Sequence, residues 1–337
     1  MSLLFWIAVF VISLIVLIKS ADFFTESSEK VGVDLKIPQF IVGIAIVSIG
    51  TSLPELATSV VAVLKNETEI ATANAVGSNI ANILLIIGIA SIAAKKMSIK
   101  RSLINLDLPL LACATTLAVF ILLDGKVVFL EGIMLLLTYV IYSFYIISSG
   151  KERKVLNHIA DHEENSHKDY HHKEAKLKTF KKFWNYKPKI EIGVILTLIV
   201  SAIFICLSAN YTVESIVKIS EILNIGTSLV AMSAVSIGTS LPELVVSVGA
   251  VMKKKYEIAL GNVFGSNIFN TLIVIGVPAL ICDLKVDNIT YSVGIPFLIG
   301  ATILYVFSGI SRKIYNWEGM MYLMIYALFL IKIFGIA

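Results

Sequence analysis

Residues 47–56 read VSIGTSLPEL, and residues 235–244 read VSIGTSLPEL again. The offset is 188 residues, and the same shift carries Ser78 to Ser266 and Asn82 to Asn270. GSNIAN at 77–82 thereby falls on GSNIFN at 265–270. Between 37 and 92 the two copies align without a gap, with roughly half the positions identical. This is internal duplication, a common origin of transporter folds.

The chain around the two copies is apolar. Of its 337 residues 57% are hydrophobic and 15% charged, against about 45–50% and about 25% in soluble domains. Runs near 3–18, 102–123, 127–149 and 192–209 carry few or no ionisable residues, and a helix crossing a bilayer needs about 20 such residues. The first run lacks a basic leader and a small-residue cleavage site, so it reads as a mature helix. Cys113, Cys206 and Cys282 lie in or at the ends of apolar runs without metal-ligand spacing, as buried apolar side chains do. A net charge of +4 implies no nucleic-acid partner. Nothing points to an obligate protein partner either; the bilayer is the expected surrounding.

The expected fold class is an all-α polytopic membrane protein with ten transmembrane helices in two inverted five-helix repeats. The helices are expected near 3–18, 37–64, 70–94, 102–123, 127–149, 190–209, 226–252, 257–282, 289–309 and 317–336. They divide the chain into a first repeat (1–149), a His- and Lys-rich linker (150–188) and a second repeat (189–337). An odd number of helices per copy makes the second copy enter from the opposite side, around an axis in the membrane plane. Lysine and arginine placement sets the orientation. With the N-terminus outside, the inner side holds Lys19, Lys30 and Lys36, then Lys95, Lys96, Lys100 and Arg101. It also holds the basic linker, Lys253 to Lys255, Arg312 and Lys313. The outer side holds only Lys65, Lys126, Lys218 and Lys285, together with the sequons at Asn66, Asn210 and Asn288. The linker is therefore expected to be cytoplasmic. It contains all five histidines, and its low hydrophobicity reads as a solvated connector.

Glu55 and Glu243 are the only acids near the middle of an expected span, and ionisable groups at that depth are costly and usually functional. Asp107, Glu131, Glu191 and Glu318 fall near span ends, within reach of water. Thr51, Ser52 and Glu55 are spaced to cluster on one helix flank. Pro54 has no N–H for the Gly50 carbonyl, and Pro242 repeats this at Gly238. A freed carbonyl at membrane depth must be satisfied by water, protein or an ion. Ser78 and Asn82 are one turn apart on the third helix, as Ser266 and Asn270 are on the eighth. Together these groups make an all-oxygen donor set, which suits hard cations such as Ca²⁺ and Na⁺ better than Zn²⁺ or Cu⁺. Two carboxylates balance one Ca²⁺. When it leaves, two close carboxylates in a low dielectric repel, and one must take up a proton or Na⁺. Exchange of Ca²⁺ for monovalent cations follows from that charge balance.

The GTSLPE and GSN motifs resemble those of the Ca²⁺/cation antiporter superfamily, and most of all its prokaryotic Na⁺/Ca²⁺ exchangers. The resemblance covers nearly the whole chain. It implies a secondary antiporter with Ca²⁺ and Na⁺ as transported substrates and no cofactor. It implies that Glu55 and Glu243 bind Ca²⁺ and share Na⁺, and that the Thr51 and Thr239 carbonyls join the Ca²⁺ shell. Ser52, Ser78, Ser240 and Ser266, with carbonyls near Ser48 and Ser236, would complete Na⁺ sites. Asn82 and Asn270 would lie at the centre. Some relatives, the K⁺-dependent ones among them, carry Asp where this chain has Asn270. GNVFGSN at 261–267 differs from the GN-x-x-GGN of the proton-coupled branch, which argues for Na⁺.

Two alternatives are a H⁺/Ca²⁺ antiporter of the same superfamily and a membrane-embedded metalloenzyme. The second lacks an HExxH motif or any intramembrane histidine to act as a base.

Overall fold

The computed structural model describes residues 2–34, 47–98, 108–145, 191–254, 256–311 and 313–335. Helix α1 is Leu3–Asp34. α2 comprises Val47–Thr51 and Leu53–Leu64, and α3 runs over Thr68–Ala94. α4 is Leu108–Leu122 and α5 Phe129–Tyr145. α6 is Ile192–Leu223 and α7 Thr227–Met252. α8 is Tyr256–Phe269, continued by Asn270–Val274 and Gly276–Ala279. α9 is Thr290–Ile310 and α10 Asn316–Ile333. Among the described residues six helices are long and apolar enough to cross a membrane: the α1 segment Leu3–Ser27, α3, α6, α7, the α8 segment Ile258–Ala279, and α9. This is a helical membrane protein. The linker 150–188 lies outside the described residues.

α1 and α6 both outrun their expected ends at 18 and 209, and each reaches 32 residues. Neither Gly nor Pro interrupts α1 before Gly32 or α6 between Gly193 and Gly226, and the polar residues past each apolar run are compatible with helix. Lys19 and Lys30 therefore stand on α1, and Asn210 and Lys218 on α6, instead of in loops. α6 ends where Asn224 takes a left-handed conformation, as Asn readily does after a last helical turn. Leu17 and Ala21 of α1 cluster with Ile205 and Ala209 of α6. The 188-residue shift turns the first pair into the second. Thr212 donates to the Ser13 hydroxyl at 3.0 Å, while residues 15–23 line a groove with residues 197–204. The two helices thus cross antiparallel.

The centre belongs to α3 and α8. In each, 83% of the most apolar window is buried, against 22% in α1 and α6. Between membrane helices there is little hydrophobic drive, so close packing through small residues does the work. A Cβ on Gly77 of α3 would stand 2.6 Å from the Met232 carbonyl oxygen of α7. Gly88 of α3 meets Gly319 of α10, and Gly276 of α8 meets Gly132 of α5.

Two short antiparallel ladders clip helix ends together, the only strands among the described residues. β1 (Lys96–Ser98), after α3, pairs with β4 (Lys313–Tyr315), before α10. β2 (Lys126–Val127), before α5, pairs with β3 (Leu284–Lys285), after α8. Lys96 faces Tyr315 and Val127 faces Leu284, which are the same register under the 188-residue shift.

Candidate functional site

The repeated motif breaks its helix at the same place in both copies. α2 stops at Thr51 and restarts at Leu53, with Ser52 between them at φ −92°, ψ 9°. α7 has the same step at Ser240, at φ −81°, ψ 3°. Pro54 and Pro242 then sit in the first turn of the second half, where a missing N–H costs least. The carboxylate follows one residue later, so Glu55 and Glu243 project from the start of a new helix. Both are fully buried.

Spacing alone places Ser52 beside Glu55; the structure sends it to the other copy. Ser52 Oγ donates to Glu243 Oε1 at 3.0 Å, and Ser240 Oγ to Glu55 Oε1 at 3.5 Å. The Thr51 side chain lies at the same place, 3.4 Å from Ser266 Oγ, whereas the Thr239 hydroxyl donates to the Val235 carbonyl of its own helix at 3.0 Å. Ser266 Oγ adds a second donor to Glu243 Oε1 at 3.3 Å. Each carboxylate therefore takes a hydroxyl donor from the repeat it does not belong to.

Other expected residues gather here with oxygens unused. Ser78, Asn82 and Asn270 are fully buried. Among the described residues no hydrogen bond reaches Ser78 Oγ, either amide of Asn82 and Asn270, or Oε2 of Glu55 and Glu243. Asn82 and Asn270 stand in π-helical turns, Ala81–Ile86 and Asn270–Val274, a distortion frequent at functional sites. The Ser236 hydroxyl is spent on the Met232 and Ser233 carbonyls of its own helix, and its carbonyl accepts the Ser240 N–H at 3.1 Å. The side chain of Ser48 lies outside the described residues. No group of three or more His, Cys, Asp or Glu side chains occurs among the described residues, so the negative charge here comes from the two glutamates.

Two residues escaped the sequence reading. Asn74 Nδ2 donates to the Glu55 carbonyl at 3.2 Å and to Ser59 Oγ at 3.1 Å. Asn262 does the same for Glu243 at 3.3 Å and Ser247 at 3.1 Å. Each pins the glutamate's helix to the next one. The signal was present, since the 188-residue shift carries Asn74 to Asn262. A further pair, Asn79 Nδ2 donating to Thr271 Oγ1 at 2.8 Å, has no counterpart, because Ile83 stands where the shift would put a second threonine.

The sequence profile of the family described as sodium/calcium exchanger protein matches residues 5–148 and 193–335. The chain belongs to the sodium/calcium exchanger family. It is similar to the sodium/calcium exchanger MaX1 of Methanosarcina acetivorans, at 30% identity across 97% of this chain and 98% of that one. It is also 30% identical to the uncharacterized membrane protein MJ0091 of Methanocaldococcus jannaschii, across 96% of each chain. The solved sodium-calcium exchanger NCX_Mj, soaked with Na⁺ and Sr²⁺, superposes with a TM-score of 0.62 at 26% identity, covering 97% of this chain and 98% of that one. This member of the exchanger family thus groups with the prokaryotic Na⁺/Ca²⁺ exchangers of the Ca²⁺/cation antiporter superfamily, and its fold matches theirs.

Proposed function

We propose that this chain exchanges Ca²⁺ for Na⁺ across a membrane by alternating access at one central site. The observation that carries the proposal is the crossed pairing of Ser52 with Glu243 and Ser240 with Glu55. It joins two buried carboxylates into one cage built equally by both copies of the repeat. Glu55 and Glu243 supply the two charges that balance Ca²⁺, and no donor among the described residues reaches Oε2 of either. The Thr51 and Thr239 carbonyls, at the helix breaks, complete the Ca²⁺ shell. Ser52, Ser240, Ser78 and Ser266, with the Ser48 and Ser236 carbonyls, take Na⁺ when Ca²⁺ departs. The amide oxygens of Asn82 and Asn270 occupy the centre. A buried polar atom left without a partner costs about 1–3 kcal/mol, a cost that a hard cation bound to oxygen offsets.

In this reading ten helices cross the bilayer as two inverted repeats, 1–149 and 189–337. The N-terminus is outside and the 150–188 linker cytoplasmic. The antiparallel crossing of α1 and α6 and the matched ladders support inversion. The family match supports transport over catalysis. The test is uptake of radioactive Ca²⁺ into liposomes loaded with Na⁺ at fixed pH. Uptake that collapses when internal Na⁺ is replaced by choline supports Na⁺ exchange. Uptake that ignores Na⁺ and follows an imposed pH gradient would replace it with the proton-coupled alternative.

A further inference from the structure

The two ladders share a register but not a charge. In β2–β3, Lys126 stands directly across from Lys285, and Asp124 and Asp283 flank them in sequence, so four charges cancel. In β1–β4, Lys96 faces Tyr315 and Ser98 faces Lys313. Met97 and Ile314 point inward and are fully buried, so strand alternation sets Lys96, Lys313 and Tyr315 on the outer face. Lys95 precedes them, also exposed, its carbonyl accepting the Asn316 N–H at 3.1 Å. Among the described residues no carboxylate pairs with Lys95, Lys96 or Lys313. The neighbouring acid in sequence, Glu318, spends Oε2 on the Tyr315 N–H at 3.0 Å.

Apolar features adjoin this charge. Lys96 Nζ lies 5.7 Å from the centre of the Tyr315 ring, and Trp317 is 68% exposed. A groove between α9 and α10 has Ser311 and Glu318 in its lining, the residues that bracket β4, and continues between Leu304, Phe307, Met321 and Ile325. We propose that the β1–β4 ladder and this groove bind one anionic phospholipid. Its headgroup phosphate sits on Lys96 and Lys313, with Lys95 beside them, and an acyl chain lies in the groove. Lysines at the rim, aromatic side chains at headgroup depth and an apolar channel leading away match an amphiphile with one negative end. A free phosphate would use the lysines and ignore the groove. A zwitterionic lipid would use the groove without net attraction to the lysines. Because the ladder ties the end of α3 to the start of α10, such a lipid would brace a helix that carries Ser78 and Asn82.

The test uses the full chain in neutral detergent, with phosphatidylglycerol, phosphatidylcholine of the same acyl chains, or inorganic phosphate added. Lipid retention is read by native mass spectrometry and stability by the melting midpoint. Phosphatidylglycerol should be retained on the order of tenfold more than phosphatidylcholine, two lysines each contributing attraction to the headgroup. That preference should vanish in Lys96→Gln/Lys313→Gln, persist in Lys96→Arg/Lys313→Arg, and persist in Lys126→Gln/Lys285→Gln on the other ladder. In the unmodified chain it should weaken as salt rises. A preference that survives the first double substitution, or that is indifferent to salt, overturns the site. Stabilisation by inorganic phosphate equal to that by phosphatidylglycerol would show a simple anion site and overturn the lipid assignment.

Discussion

Ser52 donates its hydroxyl hydrogen bond to Glu243, 191 residues further along the chain, and not to Glu55 three residues away. A carboxylate held by the opposite copy cannot change its surroundings without moving both copies. In the proposed exchange this pairing would couple the two halves of the site.

Removing either charge should end exchange. Glu55→Gln and Glu243→Gln keep the size of the side chain and lose one of two charges matched to Ca²⁺. Each should lower Ca²⁺ uptake by more than about a hundredfold, beyond the tenfold to hundredfold typical of losing a group that merely supports a metal ligand. Chromatographic behaviour should stay normal. Either variant exchanging at near the native rate would remove its glutamate from the site.

The crossed hydrogen bonds predict coupling between positions far apart in sequence. Ser52→Ala should cost about tenfold in Ca²⁺ affinity. In the Glu243→Gln background the same change should cost much less, whereas with Glu55→Gln the two effects should be closer to independent. Binding measured by calorimetry across both cycles decides this. Stronger coupling of Ser52 to Glu55 than to Glu243 would mean that the pairing is not crossed in the working protein.

Helix contact at the repeat interface leaves no room beside Gly77. In Gly77→Ala the new Cβ would lie 2.6 Å from the Met232 carbonyl oxygen and 2.9 Å from its Cα. Backbone cannot yield there as a side chain can, so a loss of about 1–3 kcal/mol or more is expected. Gly249→Ala meets nothing within 4 Å and should be neutral or gain about 0.5–1 kcal/mol from helix propensity. Melting midpoints in detergent should fall for the first and hold or rise for the second; equal midpoints would contradict the close approach.

Exchange should need Na⁺ and be indifferent to K⁺. The amide of Asn270 brings oxygen without charge, and an extra monovalent ion beside a site already neutralised by Ca²⁺ would be costly in a low dielectric. Ca²⁺ flux at clamped voltage should be the same in K⁺ or choline. Asn270→Asp should introduce a new pH or cation dependence, because a third acid must be neutralised. A strict K⁺ requirement in the native chain refutes this role for Asn270.

At the α2–α3 turn, partial burial and then the charges of Glu69 and Glu221 hold the Glu67 carboxyl above its ordinary range. The folded chain binds that proton more tightly than the unfolded chain. The associated stability is present at low pH and is lost as pH rises through the folded value. Glu67→Gln should therefore melt higher than the native chain at about pH 8, with the difference gone by about pH 4. A constant difference at both values would assign the effect to something other than this charge.

The candidate site stood out in the sequence because the ten-residue motif around each glutamate occurs twice. The apolar runs also fell where the described helices stand, because a span must be apolar along most of its length. The sequence could not give the ends of α1 and α6. Their polar extensions, such as the stretch from Lys19 to Val31, look like loop by hydropathy and are helix, with no Gly or Pro in them. Nor could it give the partner of Ser52, because spacing along one helix speaks only of neighbours on that helix. The clamp by Asn74 and Asn262 was written in the repeat, but an asparagine among small residues carries no charge signal to draw the eye.

The two ladders bear on how such a chain could have arisen. Under the 188-residue shift, Lys96 against Tyr315 and Val127 against Leu284 are one contact made twice, as are Ser52 with Glu243 and Ser240 with Glu55. A contact that pairs one patch with its own complement, and is repeated by symmetry, is the signature of a two-fold homodimer. A single gene of half this length, its product inserting in both orientations, would already hold every partner needed to close the cage. Joined in one chain, each half is free to differ alone, and Thr271, facing Asn79 where the other half has Ile83, is one place where the two halves differ.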